Sequence, residues 1–207
     1  HLFLKGSSRM KLIGIVGTNS DRSTNRKLLQ FIQTHFSDQA EIELCEIKDL
    51  PAFDEPEDQT PPITVKELSD KIILADGVII STPEYDHTIP AALKSALEWL
   101  SYTTRPLIDK PVMVTGASLG SLGSSRAQAH LRQILDAPEL KARLMPSAEF
   151  LLGHSQQAFD EKGDLIDQDK VNELEENFEE FLQFVKMTEQ LLKSRSKKNT
   201  KPFSWEV

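Results

Sequence analysis

A chain of 207 residues is long enough for one domain with a sizeable core, and its net charge of −8 speaks against a general attraction to nucleic acid or anionic membrane. The lone Cys45 excludes an intrachain disulfide and any multi-cysteine metal site, and no apolar run approaches the length of a membrane span. No internal repeat is present, and a reducing, cytoplasmic setting is the default expectation.

His1 to Arg9 precede Met10, and Gly6-Ser7-Ser8 reads as a vector-derived joint, so residues 1–9 are expected to lie outside the fold. Leu12 to Val16 is an apolar run of strand length, and Leu28, Leu29, Ile32 and Phe36 follow with the spacing of one helix face. Between them, after Gly17, lies a polar loop carrying Thr18, Asn19, Ser20, Arg22, Ser23, Thr24 and Asn25. A hydroxyl-rich loop entering a helix N-terminus offers unpaired backbone N–H groups and short side-chain donors to an anion, best of all a phosphate. The same residues also serve as an ordinary strand-to-helix turn in which Ser23 or Asn25 caps the helix. The loop is neither a Walker loop nor the dinucleotide fingerprint, since hydroxyls stand where those motifs place glycine and lysine. That points to a terminal monophosphate of the FMN kind.

Ile42 to Ile47 predicts a second strand, followed by a long Pro-rich acidic loop through Pro62. Val65, Leu68, Ile72 and Ala75 predict a helix, and Gly77 to Ser81 a third strand buried on both faces. Thr82-Pro83-Glu84-Tyr85-Asp86-His87-Thr88-Ile89-Pro90 follows, with Pro90 near a helix start. Ala92, Leu93, Ala96, Leu97 and Leu100 form that helix's stripe; Trp99 falls beside it and, with Tyr102, is expected at a subunit contact. A fourth strand, Pro111 to Thr115, ends in a Gly/Ser-rich stretch from Gly116 to Ser125, whose bare backbone suits the close approach of a flat ring or simply a flexible turn. A helix from about Ala127 to Leu135 and a last short strand near Ala148 to Leu152 complete five strands. His154 to Asp169 reads as a polar loop. Val171, Leu174, Phe178, Phe181, Leu182 and Val185 mark a long closing helix, and residues 194–207 a flexible basic tail. Alternating strands and helices imply an α/β domain over residues 10–193, with a doubly wound, five-stranded parallel sheet and helices on both faces. Ligands in such sheets bind outside the carboxyl ends of the strands, which is where the three polar loops lie.

The loops Gly17 to Asn25, Thr82 to Pro90 and Gly116-Ala117-Ser118-Leu119-Gly120 resemble the motifs G-S-x-R-x-x-S-x-N, T-P-E-Y-N-x-S-x-P and G-A-S-x-G of the NAD(P)H-dependent FMN reductase family. That family is flavodoxin-like and includes azoreductases and quinone reductases. The resemblance implies that Thr18, Ser20, Arg22, Ser23, Thr24 and Asn25 form the FMN phosphate loop. It also implies that Pro83, Glu84, Tyr85 and Asp86, together with Ser118, Leu119, Gly120 and Gly123, line the isoalloxazine ring. Two departures from the motifs matter. Ser20 stands for the family arginine, with Arg22 two residues on as its substitute, and Asp86 stands for the family asparagine. An ionised Asp86 at the ring edge would remove a donor and oppose negative charge on reduced flavin.

The implied activity is transfer of hydride from NAD(P)H to flavin and then to a small acceptor, a flavin, quinone or azo compound, in ping-pong order, by a homodimer. No protein nucleophile or metal is expected, and His87 reads as structural or solvated rather than catalytic. A flavodoxin-like electron carrier and an FMN-bound regulatory module are the alternatives.

Overall fold

Strands and helices alternate through the first four of each, and two short strands then precede the last helix. The computed structural model describes residues 9–146 and 149–195. In chain order it contains β1 (Lys11–Val16), α1 (Thr24–His35), β2 (Glu41–Cys45), α2 (Ile63–Leu74), β3 (Gly77–Ser81), α3 (Ala91–Tyr102), β4 (Pro111–Ala117), α4 (Ser125–Leu135), β5 (Arg143–Leu144), β6 (Leu151–Leu152) and α5 (Gln168–Ser194). A 3-10 turn covers Ser155–Gln157. The strands run parallel in the order β2-β1-β3-β4-β5, with β6 also paired to β4. That is the doubly wound, flavodoxin-like order, and its direction reverses at β1 and β3.

Every residue of β3 and β4 is buried, as strands covered on both faces must be, whereas the edge strand β2 alternates. One face of the sheet carries Val65, Leu68 and Ile72 of α2, Leu93, Leu97 and Leu100 of α3, and Leu131 and Leu135 of α4. The other face carries Leu28, Leu29 and Ile32 of α1 with Leu174, Phe178 and Phe181 of α5. Phe36 and Phe178 stack there with ring centroids 3.9 Å apart.

The fifth sheet position is split, a division the sequence reading did not contain. β5 pairs with Pro111 and Val112 at the start of β4, and β6 with Gly116 and Ala117 at its end. Across the gap side chains take over from the ladder: Gln128 Nε2 donates to Phe150 O at 3.1 Å. Ala148, the expected first residue of the last strand, lies outside the described residues, as do residues 1–8 and 196–207 of the two expected terminal segments. Arg195 is described, and its guanidinium reaches Asp109 Oδ2 at 3.0 Å.

Trp99 requires a correction. It is buried, its Nε1 donates to Pro51 O at 2.7 Å, and Phe53 packs edge-on against it at 5.0 Å. Tyr102 donates its hydroxyl to Pro56 O at 3.0 Å. The long acidic loop therefore folds back over α3 and covers the two aromatics expected at a subunit contact.

Candidate functional site

The carboxyl ends of β1, β3 and β4 carry the three polar loops into one cavity of about 740 Å3. The first loop leaves β1 at Gly17, whose N–H donates to Ser81 O at 2.8 Å; a Cβ there would stand 2.6 Å from that oxygen, so only glycine permits the approach. Asn25, in the first turn of α1, is buried and clamps three elements. Its Oδ1 accepts from Ser81 Oγ (2.8 Å) and Ala117 N (2.9 Å), and its Nδ2 donates to Ala117 O (3.0 Å). The side chain expected to hold a phosphate thus holds the site together. Thr18 and Thr24 are similarly engaged, through the Tyr85 hydroxyl at 3.0 Å and the buried Ser155 hydroxyl at 2.7 Å.

What remains for an anion is specific. Ser23 caps α1 by accepting from Asn25 N and Arg26 N, which leaves its hydroxyl hydrogen free to donate. Ser20 accepts from Arg22 N and keeps its own hydrogen. Arg22 lines the cavity, is exposed, and its guanidinium pairs with no described residue. Arg26, by contrast, is spent: it grips Glu46 at 2.6 and 2.8 Å and donates to Ser20 O at 2.7 Å, which braces the loop. Donors at a helix N-terminus with one uncommitted guanidinium suit a phosphate.

The second loop ends in a tight reversal. Tyr85 and Thr88 exchange both backbone hydrogen bonds, at 2.9 and 3.0 Å, around Asp86 (φ 49°) and His87 (φ 67°). Positive φ at both central residues is type I′ geometry, which Asp and Asn tolerate better than most residues. Asp86 is exposed and stands outside the cavity lining, so its residue type is accounted for by the turn. Glu84 crosses to α4, where its carboxylate accepts from the Arg126 and Ala127 N–H groups and from Arg126 Nε at 2.8 Å. Burial works to raise the Glu84 pKa, but the Arg126 side chain and the two amides outweigh it and hold the carboxyl below its ordinary range.

In the third loop Gly120 meets nothing within 4 Å of a built Cβ, so the backbone there is bare toward the cavity. Gly123 is different: its φ is +59°, a Cβ would stand 2.6 Å from Leu151, and it packs against β6 outside the lining. Of the expected site residues, Ser20, Arg22, Ser23, Thr24, Asn25, Pro83, Glu84, Tyr85, Ser118, Leu119 and Gly120 line the cavity together. Thr18, Asp86 and Gly123 do not. Arg126 and Gln156 line it unforeseen. Gln156 follows β6, and the rule that ligands gather at strand carboxyl ends was the signal for it. His154 N–H donates to Gly120 O and Ser155 N–H to Ser118 O, fastening this segment behind the third loop.

A phosphate-competent end, a bare backbone strip and a wide cavity fit FMN in chemistry and size. The NADPH-dependent FMN reductase family matches residues 10–157. This chain belongs to that family. It is 63% identical over 199 residues to the NADH:(hydroxy)cinnamate reductase subunit CrdA of Vibrio ruber, covering 96% of this chain and 98% of that one. It is 46% identical over 185 residues to the NADH-dependent flavin reductase subunit 2 of Lactobacillus johnsonii, covering 87% of this chain and all of the relative. Among solved structures, the flavoenzyme NAD(P)H:(acceptor) oxidoreductase FerB of Paracoccus denitrificans superposes with a TM-score of 0.76 at 27% identity, covering 86% of this chain and 98% of that one. As a member of the FMN reductase family the chain is a flavin-dependent oxidoreductase with NAD(P)H as electron donor. Among the described residues no acidic, histidine or cysteine cluster could hold a metal, and no helix is long and apolar enough to cross a membrane.

Proposed function

We propose that this FMN reductase passes the electron pair of NAD(P)H to a small acceptor, a flavin, quinone or azo compound, in ping-pong order. The observation that carries the reading is the pairing, in one cavity, of an uncommitted Arg22 at the helix N-terminus with the bare Gly120 backbone. Arg22 with the Ser20 and Ser23 hydroxyls would hold the FMN phosphate, while Pro83, Tyr85 and the 118–120 backbone would flank the ring. When bound, FMN supplies the two-electron chemistry that no side chain here can supply. The protein's part is to bind, orient and exclude water. Thr18 and Asn25 act through others: the first fixes the Tyr85 hydroxyl, the second fixes the ends of β3 and β4.

Tyr85, Leu119 and Leu122 are large apolar side chains left exposed around the cavity. Donor and acceptor have to use this same mouth, so they take turns, and NAD(P)+ leaves before the acceptor enters. Initial-rate plots against NADH at several quinone concentrations are expected to be parallel, and NADH without acceptor is expected to bleach the flavin absorption. Intersecting lines would overturn the ping-pong order.

A second reading has its own support, because the relatives at 63% and 46% identity are each named as subunits. On that reading the acceptor is a flavin on a partner protein, and the exposed apolar mouth is where it docks. A purified chain that oxidises NADH at full rate with free quinones, with no gain from any partner, would remove this reading. We also propose a homodimer in the cytoplasm; sedimentation as a monomer at micromolar concentration would count against the dimer.

A further inference from the structure

Arg126 stands at the start of α4 on the cavity wall, and each side-chain partner of its guanidinium comes from the 82–88 loop. Nε and Nη2 lie 2.8 and 2.6 Å from Glu84 Oε2, and Nη1 lies 3.0 Å from His87 Nε2. An arginine can only donate, so His87 Nε2 accepts, and the neutral imidazole carries its proton on Nδ1. A guanidinium has five N–H hydrogens, and these contacts use three. One on Nη1 and one on Nη2 remain, at the outer end of the fork. The Glu84 side chain is 10% exposed and that of Arg126 44%, so the inner edge is fixed while the outer edge is open. Glu84 is fixed in turn by the Arg126 and Ala127 amides, which makes the guanidinium rigid before any ligand arrives. The phosphate of the cofactor has its own cation in Arg22, at the opposite loop. The exposed Tyr85, Leu119 and Leu122 line the same cavity. The arrangement suits a ligand with a flat ring on the apolar mouth and an anionic tail that needs a planar pair of donors.

We propose that Arg126 docks the phosphates of the reduced nicotinamide nucleotide and is a specificity-determining residue for the donor, not a catalytic one. This rests on the reading that FMN fills the cavity floor and that the donor ring uses the mouth. Because Glu84 offsets the charge, recognition comes from directed hydrogen bonds to phosphate oxygens, the geometry at which arginine surpasses lysine. An anionic acceptor offers the same chemistry in a carboxylate, and the test separates the two.

The test compares NADH with reduced nicotinamide riboside, which has the same ring and no phosphate, on FMN-loaded wild type, Arg126→Gln and Arg126→Lys. In Arg126→Gln, kcat/KM for NADH is expected to fall about tenfold more than kcat/KM for the riboside, the size of a lost charge-assisted hydrogen bond. Arg126→Lys keeps a cation for Glu84 but lacks the fork, and its loss is expected to be intermediate. ADP-ribose, which carries the diphosphate without the ring, is expected to bind the oxidised holoprotein about tenfold more weakly in Arg126→Gln by calorimetry. Equal losses for NADH and the riboside, unchanged ADP-ribose binding, or a loss confined to kcat/KM of the acceptor would each overturn the assignment. Failure of the underlying reading would look different, since the wild type itself would then bind no FMN.

Discussion

The two ends of the cavity are built on opposite electrostatic plans. At the α1 end, beneath the Arg22 and Arg26 side chains, the network through Asn25 is neutral and buried: Asn25 is 2% exposed, and Ser81 and Ser155 are fully enclosed. At the α4 end it is ionic and open, with Glu84, Arg126 and His87 meeting in partial contact with water. Unpaired polar groups are costly where water cannot replace the lost partner, so the buried network behaves as a unit. Exposed ion pairs are screened and contribute little to stability, which leaves them free to be tuned for ligands. The first end fixes the shape of the site; the second selects what enters it.

The largest expected effect tests the buried end. Asn25→Ala would strand Ser81 Oγ and both the N–H and C=O of Ala117. At about 1–3 kcal/mol for each stranded group, the variant is expected to lose about 3 kcal/mol or more, read as a lower denaturant midpoint together with loss of flavin. A stability loss under about 1 kcal/mol would mean that the clamp is replaceable and the comparison false. Next comes Arg22, which separates ligand recognition from architecture. Arg22→Ala is expected to weaken FMN about tenfold by fluorescence titration while leaving riboflavin binding and thermal stability alone. An equal loss for both flavins would mean that Arg22 supports the loop and not the phosphate.

The ionic end is expected to respond to pH in a definite direction. The folded-state pKa of Glu84 lies below the ordinary value near 4.5, so its contribution is complete above that value and is lost as pH falls through the folded one. The stability gap between wild type and Glu84→Gln should therefore be largest near neutral pH and close in acid. With Arg126 nearly half exposed the gap should be about 1 kcal/mol or less. A gap that widens in acid would reverse the sign and refute the ion-pair account.

How much of this was legible in the chain differs between the same two ends. β3 was read to the residue because a fully apolar run between polar flanks has one solution in a parallel sheet. The α3 start was legible because Pro90 cannot continue a preceding ladder. The split of the fifth strand was not, since its gap is bridged by Gln128, a side chain from a different element. Asn25 lines the cavity, but an amide that can clamp backbone has the same donors and acceptors as one that can hold a phosphate. Only the partners decide, and Ala117 lies 92 residues away. Arg126 belongs to none of the sequence motifs; Glu84, 42 residues earlier, ties it to the cavity wall. Trp99 was misread for a like reason, because the loop that covers it carries no periodicity to reveal where it folds.

The smallest expected effect concerns Asp86, where the sequence departs from its family's asparagine. Two accounts of the exchange make opposite predictions. If the carboxylate faced the ring edge, Asp86→Asn would remove a charge that opposes reduced flavin, and the midpoint potential would rise by about 20–45 mV, the equivalent of 1–2 kcal/mol for two electrons. The structure instead places Asp86 at φ 49° in the Tyr85–Thr88 reversal, exposed and outside the cavity lining. A residue chosen for left-handed backbone can be Asp or Asn with little consequence, since both tolerate that conformation. Potentiometry on Asp86→Asn is therefore expected to show a potential unmoved within about 10 mV, or ~0.5 kcal/mol. Asp86→Ala supplies the positive control: alanine has no side chain that favours this conformation, so thermal stability should drop by about 1 kcal/mol, again without a redox shift. A rise of 20 mV or more in Asp86→Asn would bring the carboxylate to the flavin and return the exchange to redox tuning.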